Sequence, residues 1–357
     1  AYTTIDDPTI YFTSFLWTGN DASSRSFTGV GFQANMMWSK NRSSGHQHNL
    51  VDTVRGVDSR LLMPSDGDDE DTTCTHGHFD SLDSDGFTVT NAGGGYNVNR
   101  NANNFVGWLW KAGTSFTNDA SSTSVGTIDS AGSFNNTPGF SIVSYTGTGS
   151  NGTIKHGLNT APQVVWAKSR THATNWMLGF NINSSINFTD AFALNQNYAI
   201  EDYDGYWNDT APTSSVVSLG AHQNTNKSGE NYIAYCFSEK QGYSKFGSYT
   251  GNGDADGTFV YTGFKPAFII AKRTDGAVDW VMYDNKRDGF NPQNDRLYPN
   301  LSAAEEGTTD KMFDMLSNGF KARANWNNIN TSGGTYIFMA FAESPFVSSS
   351  GVPTTAR

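Results

Sequence analysis

Tyr145-Thr146-Gly147 stands 23 residues ahead of Lys168, and the same interval separates Trp17-Thr18-Gly19 from Lys40 and Tyr249-Thr250-Gly251 from Lys272. Equal spacing in three places marks an internal repeat, a unit of roughly 100 residues written three times. The register continues beyond the lysine. Each lysine opens a basic cluster (Lys40-Asn41-Arg42, Lys168-Ser169-Arg170, Lys272-Arg273), and eight positions on come His48, Trp176 and Trp280. Asp52 and Arg55 in the first unit match Asp284 and Arg287 in the third, whereas the second has Phe180 and Asn183. Each unit closes on Asn-x-Asn (Asn97 to Asn99, Asn224 to Asn226, Asn328 to Asn330), and the second Asn lies six residues before Phe105, Tyr232 or Tyr336.

The recurring segments read as strands. Val164-Val165-Trp166-Ala167-Lys168 and Phe268-Ile269-Ile270-Ala271-Lys272 enter from a proline turn, and the closing segments carry apolar residues on both alternating faces, as central strands do. Clusters of Gly, Asn, Asp and Ser between them read as turns. Many short strands with regular turn signals predict an all-β chain of three tandem β-sandwich or jelly-roll-like repeats with little helix. The only helical suggestions are Leu301 to Glu306 and Asp310 to Leu316. The expected division is 1–112 for repeat one, 113–138 for a flexible Ser/Thr/Gly-rich connection, 139–240 for repeat two, 241–347 for repeat three and 348–357 for a polar tail. Repeats two and three, joined by a short junction, are expected to pack rigidly, with repeat one attached more loosely.

Composition narrows the function. The chain has 357 residues, 23 Lys plus Arg against 34 Asp plus Glu, and a net charge of -11. That balance, with no basic run to offset it, argues against nucleic acid as a partner. No stretch has the apolar length of a membrane helix, and the first residues lack the basic and apolar regions of a signal peptide. Ala1 is what remains when an initiator Met is trimmed, so the expectation is a cytoplasmic translation product. Two cysteines, Cys74 and Cys236, cannot make a disulfide scaffold. Stability must come from packing.

Four groups of residues have site chemistry. His46, Cys74, His76 and His78 are zinc-type ligands within one repeat. His48, standing where the other repeats have Trp, reads as an aromatic-sized core residue, and no metal or other cofactor is assigned. The acidic run Asp66 to Asp71 and the Asp254 to Gly257 loop offer oxygen ligands but lack the spacing of a 12-residue calcium loop, so both read as exposed acidic loops. The Asp52/Arg55 and Asp284/Arg287 pairs occur twice at equivalent places and read as structural ion pairs rather than catalytic ones. No nucleophile elbow or phosphate loop is present, so no catalytic residue is assigned. Aromatics next to Asn and Asp suggest a glycan-binding or partner-binding surface at Tyr203, Tyr206, Trp207 and Trp326, since a ring stacks on sugar C–H faces while amides bind hydroxyls. Repeat two, which lacks the Asp and Arg of its siblings and carries a private Tyr203 to Asp209 segment, is the expected recognition face.

Several motifs resemble a domain family widespread in marine bacteriophages: Ala1-Tyr2-Thr3-Thr4-Ile5-Asp6-Asp7-Pro8, Gly139 to Gly147 with Lys155-His156-Gly157-Leu158, Phe246 to Gly253, Tyr261 to Pro266, Ser317 to Lys321 and Met339 to Phe346. The resemblance spans essentially the whole chain and implies concanavalin-like sandwich folds. Trp17 in place of the usual Tyr, and the acidic, His-bearing segment Ser65 to His78, depart from the pattern. The resemblance implies a non-enzymatic virion structural protein, a tail-fibre or receptor-binding component made in the host cytoplasm. A capsid decoration or head-fibre protein is the alternative, and a surface-glycan depolymerase is a third, less favoured reading. The implied partners are other virion proteins and a host surface glycan, with assembly as a homotrimer.

Overall fold

The repeated tripeptide ends the first strand of each repeat: Phe12–Thr18, Phe140–Thr146 and Ser244–Thr250. Each pairs antiparallel with the closing strand of its own repeat, Asn104–Trp110, Asn231–Phe237 or Thr335–Pro345. The pairing stacks the aromatic of the tripeptide on the first aromatic of the closing strand. Trp17 lies on Phe105 (centroids 5.3 Å apart, 11° between planes), Tyr145 on Tyr232 (5.2 Å, 12°) and Tyr249 on Tyr336 (4.9 Å, 11°). The polar edge of the same ring donates to the carbonyl of the middle residue of Asn-x-Asn: Trp17 Nε1 to Val98 O (2.8 Å), Tyr145 Oη to Thr225 O (2.6 Å) and Tyr249 Oη to Ile329 O (2.8 Å). The second asparagine secures the chain that follows the tripeptide. Asn226, for example, accepts from Thr148 N (2.8 Å) and donates to Ser150 O (2.7 Å), and Asn99 and Asn330 do the same with their own loops. Glycine is required between the two, because a Cβ at Gly19, Gly147 or Gly251 would overlap the backbone carbonyl of Arg100, Lys227 or Thr331. The two sequence motifs are thus two halves of one clasp.

The recurring lysine lies on the third strand, Met36–Asn41, Val164–Ser169 or Phe264–Arg273, which pairs with the other side of the closing strand. All three lysines are buried. Lys40 Nζ donates to Asn41 O and Ser44 O, Lys168 Nζ to Thr174 O, and Lys272 Nζ to Arg273 O and Gly276 O. Each ammonium therefore supplies donors to turn carbonyls that have left water, and each turn leads into the fourth strand, Asn49–Asp52, Met177–Asn183 or Val281–Asp284.

In this computed structural model, which describes residues 2–57, 70–71, 73, 77–91, 98–307 and 312–354, each repeat is an antiparallel β-sandwich. Its larger sheet has the strand order first, closing, third, fourth. The smaller sheet places Gly86–Thr90 between Ser24–Thr28 and His78–Asp83 in repeat one, and Gly319–Ala322 between Phe259–Tyr261 and Phe313–Leu316 in repeat three. In repeat two only Gly152–Lys155 and Val216–Leu219 pair, and the one-turn helix Asp204–Trp207 precedes the latter where the siblings have a strand. Each sandwich has its own apolar interior.

A fourth core joins all three repeats. The outer-facing rings of the large sheets meet: Trp38 on Trp166 (5.7 Å), Trp108 on Phe268 (5.5 Å) and Phe237 on Phe341 (5.9 Å). This explains why the closing strands are apolar on both faces, one face filling the sandwich and the other the shared centre. Repeat one is therefore packed as deeply as the others, contrary to the looser attachment expected from its long connection. That connection is itself ordered. Thr114–Asn118 and Ser130–Asn135 pair with each other, and the second pairs with Phe140–Thr146, extending the large sheet of repeat two. The sequence suggestions of helix fail as well: residues 301–305 are irregular, and Phe313–Leu316 is a strand whose alternate residues Phe313 and Met315 are buried in the repeat-three interior.

Candidate functional site

Among the described residues, the buried Asp and Arg side chains lie at the junctions between repeats. At the junction of repeats one and two, Asp52 Oδ1 accepts from the backbone N of Val54 and Arg55, and Oδ2 accepts from Arg55 Nε (2.5 Å) and from the hydroxyl of Tyr235 in repeat two (2.7 Å). Arg55 continues to Glu70 (2.8 Å), which binds Arg170 of repeat two (3.0 Å). The junction of repeats three and one repeats the arrangement. Asp284 binds Arg287 Nε (2.6 Å) and accepts from Trp108 Nε1 of repeat one (3.0 Å), Arg287 binds Glu305 (2.8 Å), and Glu305 binds Arg42 of repeat one (2.6 Å). Burial would lower the pKa of the two central arginines, but the carboxylates beside them more than compensate and hold both above the ordinary value. These are fixed charges, already neutralised.

The third junction, between repeats two and three, has the same backbone but different side chains. Glu70 N donates to Arg170 O (3.1 Å) and Glu305 N to Arg42 O (2.8 Å); at the third junction Ile200 N donates to Thr274 O (2.9 Å). By register, Phe180 replaces the aspartate, Asn183 the arginine, Ile200 the glutamate, Thr274 the second arginine and Met339 the Trp or Tyr. All five changes fall at one junction and remove the network as a unit. Phe180 packs on Phe192 (5.5 Å), and Asn183 turns its Oδ1 to the N–H groups of Ser185 and Ile186 (2.8 and 3.1 Å). The loss of Asp and Arg in repeat two, expected to mark a recognition face, is thus part of a matched replacement at its junction with repeat three.

The shorter side chains leave an open cleft of about 620 Å³ at this junction. Repeat two contributes Asn183, Ser184, Ser185, Ile186, Asp190 and Ile200, and repeat three contributes Ser248, Thr250, Thr274, Asp275 and Thr335 over the Tyr249/Tyr336 stack. Asp275 is tied to Arg273 (2.8 Å), whose guanidinium holds its carboxyl below the usual range. Asp190 lies on the opposite wall, and partial burial raises its pKa.

The residues singled out from sequence fare differently. Tyr203 is exposed at 42 %, but Tyr206 is 7 % exposed and Trp207 fully buried, where it meets Phe188 edge-on in the interior of repeat two. Tyr206 and Trp207 therefore present no ring face to a ligand, and the private segment that looked like a recognition loop is a core plug replacing the missing strand. Trp326 is half-buried beneath the Arg296 guanidinium (4.5 Å). Of the zinc-type residues, Cys74 and His76 lie outside the described residues, as do Asp66 to Asp69 of the acidic run. His46 and His78 are half-buried. Among the described residues no group of three or more His, Cys, Asp or Glu could hold a metal ion. Cys236 is a free thiol inside repeat two, pushed up to about 12 by burial. His48 is buried and neutral, accepting at Nδ1 from Trp38 Nε1 (2.9 Å), with Nε2 against Tyr298 O of repeat three (3.0 Å). In the other acidic loop, Asp256 pairs with Lys321 and the Asp254 carbonyl accepts from Asn330. No helix among the described residues is long and apolar enough to cross a membrane.

Sequence reasoning missed the cleft. Its signal was present in Phe180 and Asn183, the two places where repeat two breaks the pattern, but the partner positions Ile200, Thr274 and Met339 become visible only once the repeats are set side by side. Residues 7–345 match the family model described as Domain of unknown function (DUF7483), and the chain belongs to that family. No curated protein and no solved structure matches it.

Proposed function

We propose that this member of the family is a non-catalytic component of a virion surface, a tail-fibre or receptor-binding protein that contacts the host through its outer surface. The observation that carries the reading is the use made of the buried charged groups. The Asp-Arg-Glu-Arg networks bind repeats together at two junctions, while the third lacks the network and opens a polar cleft. A body of this kind is built to present a surface, and the motif resemblance to bacteriophage domains supplies the setting. The partners in this reading are neighbouring virion proteins and a host surface glycan, and the site of action is the virion. Assembly as a homotrimer belongs to the same proposal. Because the three repeats already close on one another within the chain, such a trimer would join whole bodies through their outer faces.

Immunogold labelling of intact particles, together with adsorption by particles lacking the protein, tests the proposal. Label on the tail and lost adsorption are expected. Label on the head with normal adsorption would replace it by the decoration role. Release of reducing ends from purified envelope polysaccharide would replace it by the depolymerase reading. Light scattering of the purified chain tests the trimer.

A further inference from the structure

We infer that the cleft between repeats two and three is a binding site for neutral sugars, a deepening that rests on the recognition reading above. At the other two junctions the same place is occupied by a guanidinium-carboxylate pair, Arg170 with Glu70 and Arg42 with Glu305. Here Thr274 and Ile200 are too short to meet, and the space left, about 620 Å³, falls within the roughly 300–1,000 Å³ of small-ligand sites. The lining sorts into two kinds. Ile186 and Ile200 form an apolar wall able to take the C–H face of a sugar ring. Around them, Asn183 donates to Ser248 Oγ (3.4 Å) across the cleft, Thr274 Oγ1 bonds Thr335, and the hydroxyls of Ser184, Ser185 and Thr250 complete the polar lining. A hydroxyl both donates and accepts, so a set of them matches the hydroxyls of a sugar in either direction.

Charge narrows the class. No Lys or Arg lines the cleft, while Asp190 and Asp275 stand at its walls. Arg273, the nearby cation, is held by Asp275 at 2.8 Å. A sulfated, phosphorylated or uronate sugar would meet the Asp190 carboxylate with no cation in the lining to offset it, and a neutral one would not.

The sibling junctions supply the variant that closes the site. Ile200→Glu with Thr274→Arg installs the side chains that already pair across the same backbone hydrogen bond elsewhere in this chain, so the cleft fills without a foreign shape. The full chain is titrated with neutral glucose, mannose and galactose trisaccharides and with sulfated and uronate counterparts, followed by saturation-transfer NMR and calorimetry. The expected result is binding of at least one neutral trisaccharide, no binding of the anionic ones, and at least tenfold weaker binding by the double variant. If the double variant fails to fold, Ser248→Ala with Thr250→Ala, which removes two hydroxyls and little volume, is expected to weaken binding about as much. Absence of binding to every neutral trisaccharide, preference for the anionic ones, or binding unaltered in a folded variant would overturn the assignment. Sugar binding by a chain not found on particles would leave the site standing and remove the virion role, whereas a particle-borne chain that ignores these sugars would do the reverse.

Discussion

Trp108 Nε1 donates to Asp284 Oδ2 at 3.0 Å, joining residues 176 positions apart in different repeats. The same carboxylate oxygen accepts from Arg287 Nε, so one buried aspartate ties down its own arginine and the central core of the neighbouring repeat together. Tyr235 makes the equivalent contact to Asp52 at 2.7 Å with a different donor group. A hydroxyl and an indole N–H thus do the same work at two junctions.

Removing the aspartate strands a buried guanidinium. Asp284→Ala is expected to destabilise the chain by about 3–5 kcal/mol, because Arg287 then lacks its closest counter-charge away from water and Trp108 loses its acceptor. Urea unfolding followed by tryptophan fluorescence reads this. A loss under about 1 kcal/mol would show that water reaches the pair.

Trp207 and Tyr203 lie four residues apart and separate core from surface. Trp207→Ala should cost about 3–5 kcal/mol, the range for a buried aromatic, whereas Tyr203→Ala, at an exposed ring, should stay within about 1 kcal/mol. Thermal unfolding by circular dichroism distinguishes them. Equal, small losses would mean that the helix Asp204–Trp207 does not fill the sandwich as described.

Acid should weaken the fold before most carboxylates titrate. Burial lowers His156 to about 4, with its Nδ1 accepting from Leu158 N and its Nε2 set against Thr213 O, a neutral arrangement. Burial, then the Lys40 charge, hold His48 well below the ordinary 6.5. Below 6.5, and down to about 4 for His156, the unfolded chain binds more protons than the folded one, so the stability these groups supply is complete above pH 6.5 and is lost as pH falls below it. His156→Gln is expected to flatten that part of the urea midpoint profile relative to wild type, and an unchanged slope would count against a buried neutral imidazole.

The buried lysines act over the opposite range. Burial lowers Lys40 to about 7, partly opposed by Glu305, and lowers Lys272 to about 8, against an ordinary 10.5. The unfolded chain again holds the extra proton, so stability should rise with pH from about 7 toward 10. Above about 10 buried tyrosines such as Tyr145 and Tyr249, whose pKa burial raises, reverse the trend as unfolded tyrosine ionises. Lys40→Met with Lys272→Met should abolish most of the rise between pH 7 and 10. A wild-type profile flat over that range would show that both ammonium groups remain solvated.

The sequence by itself determined the repeat, its strand content and the two motifs that the fold joins into its clasp. A strand period of two and a fixed interval between motifs are local properties of a chain, and the aromatic-Thr-Gly and Asn-x-Asn segments recur because every copy must bring the same ring, amide and glycine together. It also identified His48 as a residue standing in for tryptophan and the two Asp/Arg pairs as structural. Tertiary structure decided what each aromatic faces. Trp207 and Tyr203 have the same compositional surroundings, and only packing shows that one fills a sandwich and the other meets water. The cleft depends on packing even more. Phe180, Asn183, Ile200, Thr274 and Met339 are spread over 160 positions of the chain, and they act as one substitution only because the loop after each fourth strand reaches across to the next repeat, where backbone geometry is held constant while side-chain length sets whether the space is filled or open.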